Sequence, residues 1–152
     1  MNQIAALLQA DRIVLDLDVA SKARLVEAMG RLFERDAGLV GSTVSASLAA
    51  REKLGSTGLG QGIAIPHGRI RGLTQAIGGF ARLAHGIDFD SPDGKPVTQV
   101  FVLLVPEHAT DQHLQLLSEL AQMFSERAFR DRLAGAVDSA ALARVFAEWQ
   151  AS

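Results

Sequence analysis

Two hydrophobic rhythms alternate along this chain, one helical and one extended, and their order predicts an architecture. Across residues 21–37, Leu25, Ala28, Met29, Leu32 and Phe33 fall at helical spacing, with Ser21 as N-cap and Gly38 as the stop. A second helix is predicted over 42–54, with Val44, Leu48 and Ala49 inward and Arg51, Glu52 and Lys53 in its last turn. Gly55 ends it. Ile63, Ala64 and Ile65 make a short strand that Pro66 terminates. Residues 76–83 read as a strand and 87–89 as a short one, followed by the turn chemistry of SPDGKP at 91–96. The run VTQVFVLLVP is apolar without a break after Gln99, the pattern of a central strand covered on both faces. Helical rhythm then returns behind Asp111 or Thr110 as cap, where Leu114, Leu117, Ala121 and Phe124 recur at i, i+3, i+7 and i+10. Two shorter helices, at 126–133 and 139–149, complete the pattern. Helices, then strands, then helices imply an α/β fold, a mixed β-sheet sandwiched between helices. No repeat, low-complexity tract or linker interrupts residues 1–152, which are expected to form a single domain.

Composition narrows the function classes. A chain of 152 residues fits one domain, and at that size about 70% of the unfolded surface is buried, enough to fold without disulfides or metal. Apolar residues make up 48% and charged residues 21%, which excludes a disordered chain. The net charge of −2 and pI near 6.1 argue against a nucleic-acid partner, which needs a basic face. Arg51, Arg69 and Arg71 leave room for a local anion site. With no cysteine, a thiolate nucleophile, a disulfide framework and a cysteine-ligated metal are excluded, and the absence fits a reducing cytoplasm. The amino terminus has no basic n-region, and its apolar run at 4–8 is too short for a signal peptide. The longest strongly apolar stretch, 100–105, is roughly a third of a membrane span. A soluble, cytoplasmic protein without membrane insertion is expected.

The densest chemical signal is GSTGLGQGIAIPHG at 55–68. Four glycines in residues 55–62 let backbone amides approach an anion, or simply allow a tight loop. A Walker loop fails because Gly60 is followed by Gln61 and Gly62, and a dinucleotide fingerprint fails because Ile63 stands at its third glycine. His67 sits just past a strand end, between the rigid Pro66 and the backbone freedom of Gly68. Two readings stand: a loop histidine bonded to a carbonyl, or a neutral imidazole acting as nucleophile near pH 7. His113 lies in the first turn of its helix, either as a half-buried capping residue or beside an anion at the helix N-terminus. Arg51 closes a helix where dipole effects alone favour a cation, yet it also adjoins the glycine loop. His85 and His108 read as solvated loop residues. His108 and His113 are five apart, not the spacing of a helical metal pair, so no metal site is expected.

Glu52, then six residues, Leu59-Gly60, two more, and Ile63-Ala64-Ile65-Pro66-His67-Gly68 resembles the phosphorylation-site signature of the fructose/mannitol-type IIA proteins of the bacterial phosphotransferase system. The run REKLGSTGLGQGIAIPHGR is most similar to the nitrogen regulatory branch of that family. The resemblance implies a phosphotransferase component without cofactors, in which His67 accepts a phosphoryl group on Nε2 from an HPr-like phosphocarrier protein. Arg51 and His113 match the family's other active-site positions. Around the phosphoryl oxygens, Arg51, the helix terminus at His113 and the loop positions Ser56, Thr57, Gly58 and Gly60 are expected, with Leu59 and Ile70 on the partner surface. Three functional classes follow: a phosphocarrier regulating cytoplasmic proteins, with nitrogen- or potassium-type output; a sugar-uptake IIA passing phosphate to a IIB domain; and a non-catalytic interaction module. The lack of an attached IIB-like or membrane segment in this sequence favours the first.

Overall fold

The computed structural model describes residues 2–108 and 111–151. In chain order the elements are α1 (Gln3–Leu7), β1 (Leu8–Leu17), α2 (Lys22–Ala37), α3 (Gly41–Lys53), β2 (Gly58–Gly60), β3 (Ile63–Ala64), β4 (His67–Ile70), β5 (Ile77–Ile87), β6 (Val97–Pro106), α4 (Asp111–Ser125), α5 (Arg127–Gly135) and α6 (Ser139–Glu148). The expected cap Thr110 lies outside the described residues.

β6 is central, as its unbroken apolar run predicts. It pairs antiparallel with β5 on one side and parallel with β3 and then β4 on the other, while β1 joins β5 in parallel and β2 joins β3 antiparallel. Alternate residues of β6 feed the two faces. Phe101, Leu103 and Val105 meet the side chains of α4, α5 and α6, including Leu116, Leu120 and Phe146. Val100, Val102 and Leu104 meet α2 and α3 through Leu25, Met29, Phe33, Val44 and Leu48. The sheet is therefore mixed and covered by helices on both sides, as expected. Phe146 anchors the first layer, its ring 5.2–6.2 Å from those of Phe80, Phe101, Phe124 and Phe129. Ser21 caps α2 by accepting from the Arg24 amide, and Gly38 ends it at φ 68°.

Several elements depart from the sequence pattern. β1 has no counterpart in it because a buried arginine breaks the alternation. The Arg12 guanidinium donates to the carbonyls of Gly78 and Leu7, which satisfies it inside the layer. β5 is one strand and not two. Ala84, His85 and Gly86 are exposed where the register slips between Arg82 and Ile87, so His85 is an exposed strand residue, not a loop one. Part of the glycine-rich stretch is a hairpin, β2–β3, turned by Gln61 and Gly62 at φ 59° and 81°. On α4 the core stripe is Leu116, Leu120, Met123 and Phe124. Leu114 is 67% exposed and Ala121 borders a surface hollow, while Leu117 is half-buried against the core and also borders that hollow. Ala49 is exposed on α3. Ile70, expected on a partner surface, is 3% exposed and packs in the core layer under α3, because β4 continues pairing with β6 as far as Pro106. Among the described residues, no helix is long and apolar enough to cross a membrane.

Candidate functional site

β3 ends at Ala64, but the ladder runs on through Pro66. Its carbonyl still accepts from the Leu103 amide, and pairing resumes at His67 opposite Leu103. His67 is thus the first residue of β4, held along its one ladder, to β6. It is a buried strand residue, 9% exposed, rather than a loop residue. Nδ1 lies 2.8 Å from the Ile65 carbonyl. A carbonyl only accepts, so the ring proton sits on Nδ1 and Nε2 keeps its lone pair.

His67 forms part of two adjoining hollows. The larger, about 350 Å³, is walled by Arg51, Ser56–Leu59 of the loop, and Leu117 and Ala121 of α4. The smaller, about 290 Å³, is walled by Ser47, Arg51, Leu54, Arg69 and His113. Arg51 belongs to both. Its Nη1 donates to the Gly55 carbonyl at 2.8 Å, and it makes no ion pair among the described residues. The His113 ring stands edge-on to His67, centroids 5.1 Å apart at 70°. His113 Nε2 is buried and finds no hydrogen-bond partner among the described residues. Burial pushes both imidazoles below their usual pKa. At His67, Arg51 adds to that effect while the Ile65 carbonyl and Glu52 oppose it. At His113, His67, Arg69 and Arg51 all add to it. Two neutral imidazoles beside an unpaired guanidinium make a nucleophile next to an anion-accepting pocket, with no base needed.

The fold thus gathers His67, Arg51, His113, Ser56, Thr57, Gly58 and Leu59. It does not gather all the expected positions. Gly60 borders a separate hollow with Gln61 and Arg130. Arg71 is turned outward and pairs with Glu107. The loop's polar groups are also already engaged. The Thr57 amide and hydroxyl both donate to Glu52, the Gly58 amide donates to Ser56 Oγ, and Ser56 donates to the Phe89 carbonyl. The loop is a braced wall, not a row of free amides, so Arg51 and His113 are the groups best placed to meet an anion. Gly68 serves differently from expectation as well. Its φ is not positive; a Cβ there would fall 2.3 Å from Ser47 Oγ, so glycine is needed for the close approach of α3 to β4. Leu54, 85% exposed beside His67, was not singled out by the pattern, although an apolar residue just past a helix end is a signal of it.

Comparison with known proteins bears on this arrangement. Residues 6–149 match the family model for the phosphoenolpyruvate-dependent sugar phosphotransferase system, EIIA 2. A nitrogen regulatory protein of Pseudomonas aeruginosa is 40% identical over 151 residues, covering 99% of this chain and 98% of that protein. The crystal structure of nitrogen regulatory protein IIA-Ntr from Neisseria meningitidis is similar at TM-score 0.89 and 49% identity, over 95% of this chain and 99% of that one. The IIA mannitol structure from Escherichia coli shares the fold, with TM-score 0.76 at 21% identity over 90% of this chain and 96% of its own. A family-model match over residues 6–149, together with relatives similar over nearly the full length, means that this chain belongs to the EIIA type 2 family of the phosphotransferase system.

Proposed function

We propose that the chain, acting as one unit over residues 1–152, is a phosphohistidine carrier with a regulatory output in the cytoplasm. His67 Nε2 attacks the phosphorus of a phosphohistidine on an HPr-like protein. The donor's N–P bond breaks as the new one forms, and the donor imidazole leaves with the electron pair. No cofactor enters, and the bond type is unchanged, so the chain's task is positioning and charge balance. The Nδ1–H bond to Ile65 supports the positive charge that develops on the attacking ring, while Arg51 and His113 balance the phosphoryl oxygens. The carrying observation is the Nδ1–Ile65 contact at 2.8 Å, which leaves Nε2 as the nucleophilic nitrogen.

A phosphoryl group adds close to two negative charges at pH 7. On His67 it would lie beside exposed Leu54 and Leu59, where a partner without a matching cation would have to desolvate it. The two forms therefore bind different cytoplasmic proteins, in keeping with the nitrogen regulatory proteins among the relatives. Incubation with a phosphorylated HPr-like donor should give an acid-labile, base-stable phosphoprotein, with the phosphorus on Nε2 by NMR. Normal uptake by His67→Ala refutes the acceptor. Pull-downs with wild-type protein, phosphorylated and not, test the output. Identical partner sets, or a lone IIB transporter protein, would turn the reading toward sugar uptake.

A further inference from the structure

Glu52 is a buried carboxylate in an unfavourable place. It lies in the last turn of α3, where the helix dipole disfavours an anion, and its side chain is 5% exposed. Burying an ionised carboxylate is costly unless its lone pairs are filled. Here they are. Oε2 accepts from Lys22 Nζ at 3.0 Å and from the Thr57 amide at 3.3 Å, and Oε1 accepts from the Thr57 hydroxyl. Lys22 also stands 4.4 Å above the Phe89 ring, and the Phe89 carbonyl accepts from Ser56. The contacts close a ring through α2, α3, the 55–59 loop and the segment at Phe89. Glu52 itself borders neither hollow at His67, whereas Ser56, Thr57 and Gly58 border the larger one. A buried ion pair is weak evidence for stability, but it is well suited to specifying one conformation.

We infer that Glu52 is a positioning residue: through Thr57, its carboxylate holds the 55–59 loop against the His67 imidazole in the geometry that phosphoryl transfer requires. The inference rests on the phosphohistidine reading above. Glu52 also has an electrostatic consequence, since its negative charge opposes Arg51 at His67.

Four variants test it: Glu52→Gln, Thr57→Val, Thr57→Ser and the Glu52→Gln/Thr57→Val double. Each is measured for kcat and KM with a phosphorylated HPr-like donor, for thermal melting, and for the His67 ring nitrogen signals by NMR. Thr57→Val should lower kcat about tenfold with KM nearly unchanged, since small misplacements act on the chemical step. Thr57→Ser, which restores the hydroxyl, should recover most of it. Glu52→Gln keeps one acceptor oxygen but sets an amide NH2 against the Thr57 donors or Lys22, so it should lower kcat, though no more than Thr57→Val does. The double should be no slower than Thr57→Val alone, because both changes act on one link. Glu52→Gln should also move the His67 titration to lower pH, since the charge that favours the imidazolium is gone; Thr57→Val should not. Wild-type kcat in folded Glu52→Gln, failure of serine to rescue, or a kcat loss that only follows the unfolded fraction overturns the assignment. If Glu52→Gln does not fold, the valine–serine pair decides. If the wild-type chain accepts no phosphoryl group, the phosphohistidine reading fails. The His67 signals and Thr57 amide exchange then decide this one, and no change in either in Glu52→Gln overturns it.

Discussion

Gly68→Ala puts one methyl group where α3 leans on β4. The added Cβ would lie 2.3 Å from Ser47 Oγ, 3.2 Å from Ser47 Cβ and 3.4 Å from the Ser47 carbonyl carbon. Carbon contacts are comfortable from about 3.5 Å, so relief needs roughly 1 Å of movement at the hydroxyl and a few tenths elsewhere. β4 is held by its ladder to β6, so the movement falls on Ser47 or on α3 as a whole. Turning the hydroxyl away forfeits its bond to the Arg69 carbonyl, worth about 1 kcal/mol. Overpacking of this kind costs about 1–3 kcal/mol, less ~0.5–1 kcal/mol for replacing a strand glycine. A net loss of about 1–2 kcal/mol should lower the melting temperature by roughly 2–8 °C in a domain of this size. The rate should suffer more. Arg51 sits one turn beyond Ser47, so a shift of α3 carries the guanidinium away from His67. A displacement near 1 Å can cost about 10²-fold. Melting by calorimetry and single-turnover transfer from a phosphorylated donor measure the two effects. Ser47→Ala removes the closest contact and should restore most of the rate in the double variant. Wild-type stability and rate in Gly68→Ala would refute the reasoning, as would a double variant slower than Gly68→Ala alone.

Arg51→Ala and His113→Ala should each fold normally by circular dichroism and transfer about 10²–10³-fold more slowly, the usual cost of one electrostatic donor; wild-type rates, or collapse of both, would refute this. Burial holds His67 and His113 below their unfolded value near 6.5, so below about pH 7 the unfolded chain binds more protons than the native one and stability falls with pH. Urea midpoints should therefore drop more between pH 7.5 and 5.5 for wild type than for the His67→Ala/His113→Ala variant, and parallel drops would contradict it. Phe146→Ala removes the ring that meets four others and should cost about 3–5 kcal/mol in urea unfolding; a loss under about 1 kcal/mol would mean the layer repacks around the gap.

Strong local signals were legible in the sequence, though weaker ones such as the β2–β3 hairpin and the continuity of β5 were not. The Ser21 cap, the Gly38 stop and the unbroken run of β6 are local signals, and each has its expected place. The family resemblance carried by Glu52 to Gly68 likewise implied Arg51, His67 and His113 as one group, and the fold sets all three around one hollow. What depends on residues distant in sequence was not legible. β1 was hidden because Arg12 is satisfied by carbonyls that only folding brings to it. Ile70 reads as surface until β4 is seen to continue along β6, and the glycine loop reads as free amides until Glu52 and Phe89 are seen to occupy its polar groups. Periodicity records which side of an element is apolar but not what covers it. The residue types at the site were therefore set by the sequence. The burial of His67 and the close approach at Gly68 were decided by packing between α3, β4 and β6, because those constraints exist only once the layers meet.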